Sequence, residues 1–308
     1  MRSAPARRSL AWLWSLTRLL CAFLPLASLI VAGGETIEAS PRGALVLVGG
    51  GTITPEIAAR FVALAGGRNR RFVYIPTAAS DSELDPAVLE HAFKASFGVK
   101  QVTILHTRDR RVADSRRFTA TIDQADAVWF GGGRQWRIAD AYLGTGTEAA
   151  LRRLLQRGGV VGGTSAGASI LASYLVRGAP EGNWIVSAPG HEDGFGLLPA
   201  SAVDQHVDLY HRENDLAELI KNRSDLLGIS LDESTALVVL DSEAVVLGRG
   251  RVILHDGESH CDLPFAVLRD GDHFIPGAPL IPACPTGAAL ASSEDKPAGR
   301  NLADRPPN

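Results

Sequence analysis

The sequence predicts an α/β fold: a mostly parallel central sheet, helices on both faces, and antiparallel strands added late in the chain. Three observations carry this. Short, continuously apolar runs alternate with helix-period segments through the first half, as strands buried on both sides do. Several runs end in glycine clusters, at Gly49-Gly50-Gly51, Gly131-Gly132-Gly133 and Gly162-Gly163, where a strand hands over to a turn. Beyond Gly228 the apolar runs follow one another too closely to leave room for helices.

Taken in order, ALVLV at 44–48 reads as the first strand, and a helix follows over 55–64 with Thr54 as its N-cap and Pro55 at the first helical position. Residues 72–75 form a second strand, 86–96 a helix entered through Ser82 to Asp85, 102–105 a third strand and 127–130 a fourth. Helical spacing recurs at 136–142 and 148–156, and Val160-Val161 leads into VVGGTSAGASI. The Gly/Pro-rich stretch 176–198, with Trp184 and His191, is too long for a simple connection. A helix is predicted at 214–221 and strands at 229–231, 236–240, 244–247 and 252–254. No internal repeat is present, so residues 43–275 read as one domain. The Ala/Ser/Pro/Asp-rich tail 285–308 has no periodicity and is expected to be disordered.

The chain has 308 residues, 45% hydrophobic and 21% charged, with a net charge of −3. That is globular, and with no basic stripe after the first twenty residues no nucleic-acid partner is expected. Arg2, Arg7, Arg8 and Arg18 precede an apolar run over 19–32 that ends at Gly33-Gly34. This is the layout of an export signal over 1–33, which implies a secreted or periplasmic protein. The run falls short of the roughly 20 residues that span a bilayer, and Pro25 interrupts it, so no stable membrane insertion is expected once the signal is removed. Cys21 lies in that leader, and the remaining pair, Cys261 and Cys284, is open to one disulfide or to two free thiols.

Gly163-Thr164-Ser165-Ala166-Gly167 fits G-x-S-x-G, the turn that lifts a nucleophilic serine off a sheet and aims the next backbone N–H, here that of Ala166, at the reacting oxygen. In so glycine-rich a chain the pentapeptide alone decides little, and a serine needs a base and an acid to orient it. Eight histidines are available. His206 closes Val203-Asp204-Gln205-His206, a polar triplet after an apolar approach that reads either as the mouth of a crevice or as a solvated turn. Leu231-Asp232-Glu233-Ser234-Thr235 puts two carboxylates between strands, either as site residues or as an exposed polar bend. An esterase of the α/β-hydrolase type requires the acid before the histidine, which here means Asp204 or Asp241 with His255 or His260. A catalytically idle binding domain is the other alternative. The segment from His255 to Asp262 is ligand-rich, but Asp256-Gly257 is a hairpin signal and the spacing matches no zinc site. Gly49-Gly50-Gly51 lacks the dinucleotide spacing. Neither metal nor cofactor is expected.

Five stretches in order, LVGGG (47–51), FGGGRQ (130–135), GGTSAG (162–167), GLLPASAVDQH (196–206) and GISLDESTALV (228–238), make the chain similar to the dipeptidase E and cyanophycinase family of serine peptidases. It resembles the cyanophycinase branch most, from about Leu45 to Asp262. The resemblance implies a flavodoxin-like three-layer sandwich of the class I glutamine amidotransferase kind. It implies Ser165 as nucleophile, His206 as general base and Glu233 as orienting acid, with an oxyanion pocket from Ala166 and Gly132 or Gly133. Gln135, Asp204, Gln205 and Arg212 fall where similar enzymes line the substrate pocket. The implied reaction is cleavage of a peptide or β-aspartyl bond through an acyl-enzyme, with cyanophycin, a poly-aspartate bearing arginine on each side chain, as the model substrate and β-Asp-Arg dipeptides as products. A homodimer is compatible with this reading. Two departures stand out. Cyanophycinases carry several arginines after DQH, whereas Val207 to Asp215 here keeps only Arg212, and Arg134 stands where Asp or Asn is usual.

Overall fold

In the computed structural model, which describes residues 43–280, five parallel strands form one side of an eight-stranded sheet, out to its edge. They are β1 (Ala44–Val48), β2 (Phe72–Ile75), β3 (Val102–Ile104), β4 (Ala127–Phe130) and β5 (Val160–Thr164), in the order β1-β5-β4-β2-β3. Helices α1 (Pro55–Leu64), α2 (Pro86–Phe97), α3 (Arg110–Ala113), α4 (Arg116–Asp123), α5 (Gln135–Tyr142), α6 (Gly146–Gln156) and the short α7 (Ala166–Ser169) connect or follow them. Thr54 caps α1 through its hydroxyl, as predicted, with Pro55 in the first turn.

Alternation along each strand builds two cores. Leu45, Leu47, Val73, Ile75, Val128 and Phe130 point to one face. Val46, Val48, Phe72, Ala127 and Trp129 point to the other, where α1 and α2 supply Phe61, Phe93 and Phe97. Phe61, Phe97 and Trp129 meet there edge to face, with ring centroids 4.8 and 4.9 Å apart for the Trp129 pairs. Such pairs contribute about 1 kcal/mol each beyond their buried area.

The second half departs from the expectation of antiparallel additions to one sheet. β9 (Thr235–Leu240), β10 (Glu243–Gly248) and β13 (His273–Phe274) do extend the main sheet, outward from β1. The other strands, β6 (Ala172–Tyr174), β7 (Leu198–Asp204), β8 (Leu227–Leu231), β11 (Val252–His255) and β12 (Ala266–Leu268), form a separate five-stranded sheet. Its β6, β7 and β8 are parallel, and Val203, Ile229 and Leu231 enter the same core as α5 and α6. One face of the main sheet is therefore covered partly by helices and partly by a second sheet. The physical reason lies after Ser165: α7 is a single turn, too short to cover that face, and the chain re-enters as a strand.

Local differences are small. The helix predicted at 214–221 forms at α9 (Ala217–Asn222), preceded by the one-turn α8 (Val207–Tyr210). Asp256-Gly257 does not close a two-residue hairpin; β11 and β12 are joined by a longer loop pinched by a bridge between His260 and Leu263. No helix among the described residues is long and apolar enough to cross a membrane. The export signal expected over 1–33 and the tail 285–308 lie outside the described residues. Cys261 is disulfide-bonded.

Candidate active site

The carboxyl ends of β1, β4 and β5 meet the carboxyl end of β7 at the seam between the two sheets. β5 runs to Thr164, and Ser165 turns the chain into α7 with φ 54° and ψ −119°, a conformation costly for any residue with a β-carbon. The G-x-S-x-G glycines allow that turn to be tight. A β-carbon on Gly163 would lie 2.1 Å from the Gly167 carbonyl oxygen. Strain at the serine and closeness at its flanks are the features of a nucleophile elbow.

From the second sheet, β7 ends at Asp204, and His206 follows in the left-handed region with φ 55°. Its backbone N–H donates to Gly49 O at 2.8 Å, tying β7 to the glycine turn after β1. Glu233 lies on the bend by which β8 leaves the second sheet to become β9 of the first. Three elements with no sequence proximity thus place one line of atoms. His206 Nε2 is 2.8 Å from Ser165 Oγ, and His206 Nδ1 is 2.6 Å from Glu233 Oε1. All three side chains stay in part open to solvent. With Glu233 accepting from Nδ1–H, Nε2 is the ring's acceptor for the serine proton.

Of the adjacent acids, Asp232 faces away and is held by Arg251, whose backbone N–H and Nε each donate at 2.8 Å. Glu233 is steadied at the backbone, where its N–H donates to Asp208 Oδ1 at 2.8 Å. The glycine turn forms the floor. Gly50 adopts φ 122°, and a β-carbon there would fall 2.2 Å from His206 Cε1, so only glycine allows the ring to lie where it does. Neither this packing role nor that of Asp208 was legible beforehand; the LVGGG stretch was the one available signal for the former.

The remaining expected residues divide. Gly132 touches the serine: a β-carbon on it would lie 3.4 Å from Ser165 Cβ. The N–H groups of Gly132 and Ala166 donate to no protein acceptor among the described residues. Gly133 packs instead against the Ala78 carbonyl. Gln135 is buried and donates from Nε2 to Val176 O. Gln205 is buried and accepts from Arg212 Nη1 at 3.2 Å. Arg212 is itself buried, over the Tyr210 ring at 4.4 Å, and Tyr210 presents its edge to His206. Burial, followed by the nearby charge of Arg177, pushes the Arg212 pKa down to about 10.

Asp204 requires a correction. The resemblance places it in the substrate pocket, but it is fully buried and both its oxygens are taken by Arg177, from Nε and Nη2 at 2.7 Å each. Arg177 Nη2 also donates to Asp215 Oδ2 at 2.7 Å. Burial depresses the Arg177 pKa, yet Asp204 and Asp215 outweigh it and hold the group above its ordinary value. No signal in the sequence links Arg177, in the long 175–197 connection, to Asp204.

The esterase alternative fails on geometry. His255 is buried with Ser230 Oγ at 3.4 Å, and His260 binds Asp256 at 2.9 Å, whereas the Ser165 hydroxyl is met by His206. Among the described residues no group of His, Cys, Asp and Glu could hold a metal ion.

A strained elbow serine in line with a histidine and a glutamate, on an α/β sheet, defines a serine-type hydrolase. The sequence model of Peptidase family S51 matches residues 45–247, and the chain belongs to that family of serine-type peptidases. The chain is 29% identical over 217 residues to the cyanophycinase of Geminocystis herdmanii (strain PCC 6308), covering 66% of this chain and 76% of that one. It is 32% identical over 211 residues to the cyanophycinase of Synechococcus elongatus, covering 65% of this chain and 63% of that one. A peptidase from an acI-B1 Actinobacterium, known from its crystal structure, superposes with a TM-score of 0.61 at 26% identity, over 76% of this chain and 96% of the other.

Proposed function

We propose that the protein is a cyanophycinase-like peptidase that cleaves a peptide or β-aspartyl bond through an acyl-enzyme, with Ser165 as nucleophile, His206 as general base and Glu233 as orienting acid. The observation that carries this is the unbroken line from Ser165 Oγ to His206 Nε2 and from His206 Nδ1 to Glu233 Oε1. His206 takes the hydroxyl proton as Ser165 attacks the carbonyl carbon, and the N–H groups of Ala166 and Gly132 receive the oxyanion. The imidazolium then protonates the leaving amine. Water, deprotonated by the same ring, releases the acyl group.

The decisive experiment is trapping. An aspartyl ester analogue with a good leaving group and a slowly hydrolysed acyl group should add one acyl mass to Ser165 in the intact chain and none to Ser165→Ala. Labelling at another residue, or equal peptide hydrolysis by Ser165→Ala and the parent, defeats the reading. The substrate class is supported by the cyanophycinase relatives, and the arginine-poor stretch after His206 favours other aspartyl peptides beside cyanophycin. The basic, apolar leader and the disulfide at Cys261 support an exported protein.

A further inference from the structure

We propose that Tyr210 determines specificity on the leaving side of this site: its ring is a platform beside His206 for an aromatic side chain on the residue that cleavage releases. The inference rests on the peptidase reading above and concerns the half of the substrate that departs as the amine.

The proton fixes which side this is. In that reading His206 Nε2, 2.8 Å from Ser165 Oγ, hands its proton to the leaving nitrogen, so the departing residue lies against the His206 end of the site. The acyl oxygen belongs at the other end, toward Gly132, which packs against Ser165 Cβ. Around the imidazole, Glu233 takes Nδ1, Ser165 meets Nε2 and Gly50 lies against Cε1. The other ring against it is that of Tyr210, at the far end of α8, with centroids 5.8 Å apart and planes at 68°.

The turn that carries Tyr210 is held at several points. Val207 is buried with Ile253 and Phe265, Asp208 accepts the Glu233 N–H, and the Tyr210 N–H donates to His206 O at 3.1 Å. Arg212, buried and bonded to Gln205 O and Oε1 at 3.2 Å, covers one face of the Tyr210 ring at 4.4 Å. What the turn leaves outside is apolar: Tyr210 is 36% exposed and Leu209 54%. A ring already fixed on one face and open elsewhere gives up little conformational entropy when a second ring packs on it, which makes it an anchor.

The test compares kcat/KM for two dipeptides, Asp-Phe and Asp-Ala. The parent should prefer Asp-Phe by about tenfold or more, the worth of one aromatic pair with its buried area. Tyr210→Ala should cut that preference to about twofold or less, chiefly through KM, while Tyr210→Phe, which keeps the ring, retains it. A parent without the preference overturns the proposal, as does an unchanged ratio in Tyr210→Ala. An equal loss of kcat on both dipeptides also overturns it, since the ring would then only position His206. Failure of the peptidase reading looks different: the parent hydrolyses neither dipeptide. Calorimetry on Ser165→Ala then decides. Tighter binding of Asp-Phe that Tyr210→Ala abolishes supports the platform; equal binding of the two, or binding of neither, overturns it.

Discussion

Glu233 reaches His206 across the seam between the two sheets, its Oε1 2.6 Å from the ring Nδ1, although the bend that carries it belongs to neither sheet. The bond fixes the tautomer in which Nε2 faces Ser165 without a proton. Glu233→Gln keeps the shape but lets the amide donate to Nδ1, reversing the tautomer. The expected loss in kcat is about 10³- to 10⁴-fold, with the thermal midpoint nearly unchanged. Steady-state kinetics on an aspartyl peptide measures it, and retention of a tenth or more of the activity would argue that the acid is dispensable.

Gly50 supports the opposite side of the same ring. A β-carbon there would lie 2.2 Å from His206 Cε1, and φ is 122°, so Gly50→Ala must displace either the ring or the turn. A shift of about 1 Å at a base costs on the order of 100-fold in rate. The prediction is a variant that folds, with kcat reduced by that order and KM changed much less.

Burial lowers the His255 pKa to about 4, against the smaller opposing pull of Asp204 and Asp256. The folded state thus binds this proton less readily than the unfolded chain, where histidine titrates near 6.5. Stability from this residue is complete above about pH 6.5 and is lost as pH falls toward 4, by on the order of 3 kcal/mol. Urea midpoints measured over that window should fall more steeply for the parent than for His255→Gln. Parallel slopes would show that the ring is not titrating there.

Asp204 and Arg177 form a buried pair, 0% and 1% exposed at the side chain. Removing one partner of such a pair leaves a stranded charge, at a cost of about 3–5 kcal/mol. Asp215 retains a share of the Arg177 charge, so Asp204→Asn should fall at the low end of that range. Differential scanning calorimetry would register it, and a midpoint equal to the parent's would contradict the burial.

The parallel half of the molecule was legible because strand and helix periods are local properties: Ala44–Val48, Phe72–Ile75 and Ala127–Phe130 form where their apolar runs stand. The serine elbow and the two polar segments around His206 and Glu233 were visible as motifs. Their meeting was implied only by the family resemblance and by no local pattern, since hydrogen bonds between residues 41 and 27 positions apart depend on how two sheets dock. The second sheet went unread because β6 is only three residues long and its partner β7 comes after the 175–197 connection. Asp204 misled for a related reason. Its neighbours in sequence mark it as a site residue, while its true partner, Arg177, sits in a segment with no periodicity to place it.

The order of the parts along the chain has a consequence during synthesis. The serine emerges first, the histidine after it and the glutamate last, on the bend before β9, which must then pair with β1 near the beginning of the domain. A ribosome-bound chain that has reached only Ser165 carries a hydroxyl with no base, and one that has reached His206 carries a ring with nothing to orient it. On the proposed mechanism, cleaving power is thus withheld from every copy in which translation has not passed Glu233, the last of the three residues to be made.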